Sequence, residues 1–369
     1  MPTSDHPLIS VVMVIRNVER YLAEAIESVL KQTFRDFEFI IVDFGSTDRS
    51  KEIAAVYAAR DQRIRLSEVP ACSYIEAKIS ACTLPRGRYI AIQDADDVSL
   101  PERLQAEADF MERHLEVGLL GGAVQWIDSH GKPLKTTENY PTEDSEIRVE
   151  LRVRNTFWHP TVLMRREAYV RVGGYRAAFV QSDDYDLWLR MSEQYKCANL
   201  SELVLKYRVH SQQLSVRKRK DQVFCTLAAR AAASLRREGR VDPLNSTKEI
   251  TPTLLAAMGV SEATQKKEFI EDYRGYIRLM FESGDFEDVP NAVAEMLRDC
   301  QGAYRDSLLI VDMQVLAGRA FWKKGRNVRG FLAIARAVWA RPRLFGHPRM
   351  LLQEFTRGDG YALPLRCWP

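Results

Sequence analysis

The first hundred residues alternate short apolar runs with stretches whose apolar residues recur at helical spacing. Residues 8–15 (Leu-Ile-Ser-Val-Val-Met-Val-Ile) form a nearly continuous apolar run rich in β-branched side chains, the pattern of a strand buried on both faces. Leu22, Ile26, Val29 and Leu30 follow at helical spacing. Residues 37–42 predict a second strand, which ends at Asp43-Phe44-Gly45-Ser46-Thr47-Asp48. There Gly45 permits the turn, and Ser46 or Thr47 can cap a helix carrying Ile53, Ala54, Val56 and Tyr57. Residues 64–69 predict a third, edge strand, and a helix is expected around 74–81. The run Tyr89-Ile90-Ala91-Ile92 predicts a buried strand between Arg86-Gly87-Arg88 and Gln93-Asp94-Ala95-Asp96-Asp97. This βαβαβαβ alternation implies a doubly wound, mostly parallel sheet. Ligands bind such sheets beyond the carboxyl ends of the strands. Arg16, Asp43, Asp94, Asp96 and Asp97 all stand at such ends, so they are expected to share one crevice.

Further on, a helix after Pro101 is expected to bury Leu104, Ala108, Met111 and Leu115. Residues 118–127 predict a strand, Ser129-His130-Gly131-Lys132 a hairpin-type turn, 137–141 a loop and 147–153 a helix. Trp158-His159-Pro160-Thr161 reads as a loop entering a strand, and Gly173-Gly174-Tyr175 as a turn. Ser182-Asp183-Asp184-Tyr185-Asp186 is expected to cap a helix over 187–194, because the helix dipole favours anions at its start. A last strand is expected over 203–207, before Arg208-Val209-His210.

Length and composition narrow the class. At 369 residues the chain is long enough for two or three domains, and its composition is that of a globular protein. A net charge of +3 is too small to imply nucleic acid as a partner. No apolar stretch reaches transmembrane length and the first six residues do not read as a signal peptide, so a cytoplasmic location is expected. The cysteines at 72, 82, 197, 225, 300 and 367 contain no Cys-x-x-Cys pair, which argues for reduced thiols. The chemistry therefore rests on carboxylates. Asp94, Asp96 and Asp97 crowd three anions at one strand end, a hard-oxygen set that suits Mg²⁺ or Mn²⁺ shared with substrate phosphates.

These pieces, in this order and spacing, resemble inverting glycosyltransferases of family two with the GT-A fold, over residues 8–215. The resemblance is carried by residues 28–38 (Ser-Val-Leu-Lys-Gln-Thr-Phe-Arg-Asp-Phe-Glu), Val42-Asp43 with Gly45-Ser46-Thr47-Asp48, and Asp94-Ala95-Asp96-Asp97 with Pro101-Glu102-Arg103-Leu104. It continues in His159-Pro160-Thr161, Gly173-Gly174-Tyr175, Asp183-Asp184-Tyr185-Asp186-Leu187-Trp188-Leu189 and Tyr207-Arg208-Val209-His210. It implies transfer of a sugar from a nucleoside diphosphate sugar, UDP by default, to a hydroxyl of a glycan or lipid-linked acceptor, with inversion, in surface polysaccharide biosynthesis. It makes Asp184 the general base. Asp96 is the first choice as metal ligand, with Asp94, Asp97 and His210 beside it. Val14, Arg16, Asp43, Lys78, Asp94 and Asp96 are assigned to the nucleotide sugar, and Asp183 and Trp188 to the acceptor, although core packing is the competing reading of Trp188. His159 is expected to fix its loop rather than to ligate.

The chain also departs from the family pattern. Phe44 stands where a second Asp is usual, Arg16 replaces a Tyr, Val14 a Thr and Ile79 an Asn. Phe44 cannot accept a hydrogen bond from a uracil imide, though it can stack on a base. Phe44 and Ile79 favour the alternative of a catalytically degenerate scaffold that binds a glycan or partner; Asp96 and Asp184 oppose it. A nucleotidyltransferase would want a glycine-rich phosphate loop after the first strand, and residues 14–17 contain no glycine.

Residues 216–369 are expected to form a C-terminal helical domain, with helices over 222–237, 266–282, 289–299, 307–324 and 327–340. The basic run 217–220 reads as a solvated linker. Between Asp312 and Glu354 there is no acidic residue, while Lys or Arg stands at 319, 323, 324, 326, 329, 336, 341, 343 and 349. In the helix over 327–340, Val328, Phe331, Leu332, Ala335, Val338 and Trp339 share a face. That face is expected to pack on neighbouring helices; peripheral contact with an anionic membrane through 319–349 is the alternative.

Overall fold

The computed structural model describes residues 6–137, 140–210, 218–282, 286–299 and 308–339. Strands β1 (Ile9–Ile15), β2 (Phe37–Asp43), β3 (Ile64–Glu68) and β4 (Tyr89–Ile92) alternate with helices α1 (Glu19–Leu30), α2 (Ser50–Ala58) and α3 (Tyr74–Ala81). β1 lies parallel to β2 and β4, and β2 parallel to β3 at the edge. The apolar runs are buried on both faces, as a covered parallel sheet requires. Ser10 is fully buried among them and fully used. Its hydroxyl donates to Glu38 Oε1 at 2.7 Å and accepts from Gly87 N at 2.8 Å. A Cβ on Gly87 would meet Ser10 N at 2.7 Å, so only glycine lets this loop reach the sheet and start β4 in register.

The second half of the sheet is mixed. It contains β5 (Val98–Ser99), β6 (Val117–Ile127), β7 (Pro133–Thr136), β8 (Leu163–Arg165) and β9 (Lys196–Arg208), with helices α4 (Arg103–Arg113), α5 (Asp144–Glu150), α6 (Arg166–Arg171) and α7 (Asp183–Ser192). The strand order is β3-β2-β1-β4-β8-β6-β9-β5, with β7 paired to β6 across the expected hairpin turn. β8 enters antiparallel between β4 and β6, β9 runs parallel to β6, and β5 pairs antiparallel with β9. Parallel pairing still carries most of the sheet.

Several local expectations need correcting. Leu115 lies beyond the end of α4 and is 64% exposed, because the chain turns at His114. The last strand begins at Lys196, as β9 follows β6 along its whole length. α7 begins at Asp183, so Asp183 and Asp184 belong to its first turn. Ser182 precedes it in a left-handed conformation (φ 50°) and makes no side-chain cap.

The described residues divide into two compact units, those within 6–210 with Cys225–Leu254 in the first, and 218–224 with those within 255–339 in the second. The division crosses α8 (Arg219–Arg237). Within the first unit, Arg236 binds Glu193 and Asp242, and Asp242 also accepts from Arg176 at 2.9 Å. In the second unit, α9 (Pro252–Ala257) leads to α10 (Glu262–Glu282), α11 (Val289–Asp299), α12 (Leu308–Lys323) and α13 (Asn327–Trp339). Arg219, expected in a solvated linker, is instead 4% exposed, donates to Asp272 at 2.8 Å and lies 3.9 Å from the Tyr276 ring centre.

α12 and α13 cross closely. A Cβ on Gly318 would meet Ile334 at 2.4 Å, and one on Gly330 the Gly318 carbonyl at 2.8 Å. Gly330 and Ile334 therefore form the inward side of α13, while Val328 and Leu332 are 74% and 47% exposed. The expected packing of Val328 and Leu332 is thus reversed. The side chains of Phe331, Ala335, Val338 and Trp339, and all of 340–349, lie outside the described residues, as do the turn at 283–285, Cys300 and Cys367.

Candidate active site

The loop after β4 is held from below by side chains the sequence reading did not single out. Gln93 is 1% exposed; its amide nitrogen donates to the carbonyls of Asp94 and Asp97, and its oxygen accepts from Ser99 Oγ and Arg103. Arg103, paired with Glu107 inside the core, also donates to Ile92 O at 2.9 Å. A buried Arg of this kind has a sequence signal, since Arg103 and Glu107 are spaced i, i+4 on the inner face of α4. Burial raises Glu107 to about 7, against the pull of Arg103.

The antiparallel pairing of β5 with β9 brings the end of β9 to this loop. Asp97 Oδ1 accepts from Arg208 N at 2.7 Å, and Arg208 Nε donates to the Asp96 carbonyl at 2.8 Å. His210 Nε2 lies 2.9 Å from Asp96 Oδ2, and its ring packs 5.0 Å from that of Tyr21. Asp97 is 1% exposed and its Oδ2 has no partner among the described residues. Burial, reinforced by the charges of Asp96 and Asp94, pushes its carboxyl well above the usual range.

Asp94 turns the other way. Its Oδ2 lies 3.2 Å from His159 Nδ1, and His159 Nε2 is 3.3 Å from Lys78 Nζ. Lys78, on α3, is 5% exposed and donates to Asp183 Oδ2 at 2.6 Å. The expected phosphate contact of Lys78 is therefore occupied by an internal partner. Burial works against the Lys78 charge, but Asp183, Tyr74 and Asp184 outweigh it and raise the ammonium above its ordinary value. Asp184 accepts from Asn155 Nδ2 at 3.1 Å; burial, then Asp183, raises its carboxyl. Asp94 is lowered: burial opposes this, and His159 and Lys78 prevail.

The contacts from Asp94 through His159 and Lys78 to Asp183 bring the loop after β4 close to the first turn of α7. Tyr207 is raised by burial and by the fields of Asp97, Asp96, Asp94 and Asp184, and Tyr74 is raised by burial and by Asp94, Asp183 and Asp96. Beside them, Asp43 uses Oδ1 to accept from Gly45 N and Ser46 N, and its buried Oδ2 has no partner among the described residues. Arg16 is exposed at the end of β1, with its guanidinium 5.3 Å from the Phe44 ring centre; Val14 is half-buried on the same strand. Trp188 does not join the site. It is fully buried against Phe157, so its ring offers no face to an acceptor, and core packing is the correct reading.

Asp96 and His210 supply one carboxylate and one imidazole within hydrogen-bond reach of each other. Such a pair fits a divalent cation whose remaining positions go to phosphate and water. Among the described residues no three His, Cys, Asp or Glu side chains converge as a complete ligand set, since Asp94 and Asp97 are turned to His159 and Arg208.

Known proteins resemble this chain in sequence and fold. Residues 10–173 match the family model described as glycosyl transferase family 2. An uncharacterized glycosyltransferase of Methanocaldococcus jannaschii is 35% identical over 56% of this chain and 72% of its own length. The O-antigen biosynthesis glycosyltransferase WbnJ of Escherichia coli is 32% identical over 55% of this chain and 80% of its own. The amylovoran biosynthesis glycosyltransferase AmsE of Erwinia amylovora is 29% identical over 57% and 80%. Among solved structures, S. aureus TarS 1-349 in complex with UDP-GlcNAc superposes with a TM-score of 0.51 at 15% identity, covering 89% of this chain and 90% of that one; the two share a fold. With sequence relatives of this similarity and coverage, and with the GT-A sheet beneath its carboxylates, the chain belongs to glycosyltransferase family 2.

Proposed function

We propose that this glycosyltransferase is a metal-dependent, inverting enzyme that moves a sugar from a nucleoside diphosphate sugar, with UDP sugars the first to test, to a hydroxyl of a glycan or lipid-linked acceptor in surface polysaccharide synthesis. The observation that carries the reading is the run of contacts Asp94–His159–Lys78–Asp183, which sets the Asp94–Asp97 loop, with His210 on Asp96, near the first turn of α7 that bears Asp184. It supports a donor diphosphate and an acceptor hydroxyl meeting in one cleft.

Asp184 takes the proton of the acceptor hydroxyl as that oxygen attacks the anomeric carbon. The bond from that carbon to the diphosphate oxygen breaks on the opposite face, and the nucleoside diphosphate leaves. A carboxylate raised by burial is a stronger base than a solvated one, and it remains ionised at neutral pH if the shift is moderate. Asp96 and His210 would hold Mn²⁺ or Mg²⁺, which would supply charge stabilisation for the departing diphosphate. Asp94 and Arg16 face the donor, and Asp43 stands at the end of β2 on the nucleotide side. The described helices from Glu262 to Trp339 approach an anionic membrane surface. Exposed Trp322, Val328 and Leu332 beside exposed Lys323 and Arg329 support that contact. Among the described residues no helix is long and apolar enough to cross a membrane.

The test measures release of nucleoside diphosphate from a panel of sugar nucleotides, with and without Mn²⁺, against glycan acceptors. Metal-stimulated release from one donor, with the product anomer inverted, is expected. Retained configuration, or full activity in chelator, overturns the mechanism.

A further inference from the structure

We propose that Lys78 and His159 are positioning residues that tie Asp94, on the donor side of the cleft, to Asp183, on the acceptor side, with His159 held as its Nδ1–H tautomer. The inference rests on the glycosyltransferase reading for its kinetic consequences; the tautomer itself does not.

The tautomer follows from what each neighbour can do. Asp94 Oδ2 stands 3.2 Å from Nδ1, and an ionised carboxylate only accepts, so Nδ1 carries the hydrogen. Lys78 Nζ stands 3.3 Å from Nε2, and an ammonium only donates, so Nε2 presents its lone pair. The Tyr175 hydroxyl, 3.4 Å from Nε2, is a second donor to the same lone pair. Lys78 itself is fixed on three sides. It donates to Asp183 Oδ2 at 2.6 Å and lies 4.7 Å and 4.9 Å from the ring centres of Tyr74 and Tyr175, whose faces attract a cation. Side-chain exposures of 6% and 8% close the Lys78–Asp183 pair to water.

The string Asp94–His159–Lys78–Asp183 therefore joins the loop after β4, the turn His159–Thr161, α3 and the first turn of α7. None of these segments is adjacent in sequence. A rotation of Asp94 toward a bound donor pulls on Asp183, and the reverse holds. Asp184, outside the string, keeps Asn155 as its side-chain donor and stays available to the acceptor hydroxyl. Second-layer partners of this kind set the orientation of the groups that touch substrate.

Two substitutions separate the halves of the string. His159→Asn places an amide N–H near the position of Nδ1 and keeps the bond to Asp94, but does not reach Lys78. His159→Gln reaches Lys78 with its amide oxygen and releases Asp94. The Asn variant is expected to keep the donor KM within about twofold and lose roughly tenfold or more in kcat; the Gln variant is expected to raise the donor KM by roughly tenfold. Lys78→Arg, which keeps the charge, is expected to retain more activity than Lys78→Met at equal expression. Equal losses in kcat and KM for both histidine variants, tracking a fall in melting temperature, overturn the coupling.

A second measurement needs no substrate. In a long-range ¹H–¹⁵N spectrum of imidazole-labelled protein, the His159 signals, assigned by their loss in either variant, are expected to show a protonated Nδ1 and an unprotonated Nε2 at pH 7.5. A protonated Nε2 overturns the assignment. If the chain transfers no sugar at all, the glycosyltransfer reading fails while this spectrum still decides the tautomer.

Discussion

Asp184 and Asp97 are both raised carboxylates, yet they have opposite consequences. A general base works only when ionised, so under the proposed role of Asp184 activity is expected above its raised pKa and lost as pH falls through it. The acid limb of kcat/KM is therefore expected above the ordinary carboxylate range, and Asn155→Ala, which removes a hydrogen bond to the ionised form, moves it to higher pH. Asp184→Asn is expected to lower kcat by roughly 10²–10⁴-fold without lowering the melting temperature at neutral pH, because the carboxyl it removes is also raised by burial. Asp97 touches Arg208 N and buries its other oxygen, so its raised pKa is a statement about stability. Its folded pKa exceeds the unfolded one, so folding favours the protonated form, and the group costs stability once pH rises above both values. Asp97→Asn is therefore expected to raise the melting temperature at pH 7.5 without divalent cation. Each pKa unit removed is worth about 1.4 kcal/mol, or roughly 3–6 °C for a compact body of this size. An unchanged or lower melting temperature in a calorimetric scan would show that the charge at Asp97 is already neutralised.

Elements buried on both faces were the easiest to read from sequence. β1, β2, β4 and α3 stand where apolar runs and spacing put them. The mixed half was not legible in the same way. β8 is three residues long and takes its direction from being inserted between β4 and β6, a choice made by tertiary contacts and not by local pattern. The start of α7 was misplaced because Ser182 adopts a left-handed backbone that no propensity anticipates, and such strain recurs at functional positions. The part His159 plays between Asp94 and Lys78 also lies beyond spacing, since its partners are remote along the chain. Gly87 offers a test of how β4 is seated. Gly87→Ala forces a Cβ to 2.7 Å from Ser10 N and is expected to cost about 1–3 kcal/mol, seen as a lower denaturant midpoint. A neutral result would mean that the loop gives way without disturbing the sheet.

At the scale of the whole molecule, the helical residues present Trp322, Val328 and Leu332 at 39%, 74% and 47% exposure next to exposed Lys and Arg side chains. The chain is expected to sediment with vesicles containing phosphatidylglycerol and not with phosphatidylcholine alone, the binding weakening with salt. Replacing Trp322 and Leu332 by Ser should weaken it while leaving turnover on a soluble acceptor unchanged. Equal sedimentation with both vesicle types would sink the electrostatic part of this expectation.

The bond from Arg208 to Asp97 spans 111 residues of chain. While the ribosome has released only the residues up to β8, the first three carboxylates already exist, but the backbone amide and imidazole that orient them are still to be synthesised. A nascent fragment of that length should neither retain a divalent cation nor consume cellular sugar nucleotides. Turnover is expected only from chains translated past the last strand, which would keep half-made copies from draining the donor pool.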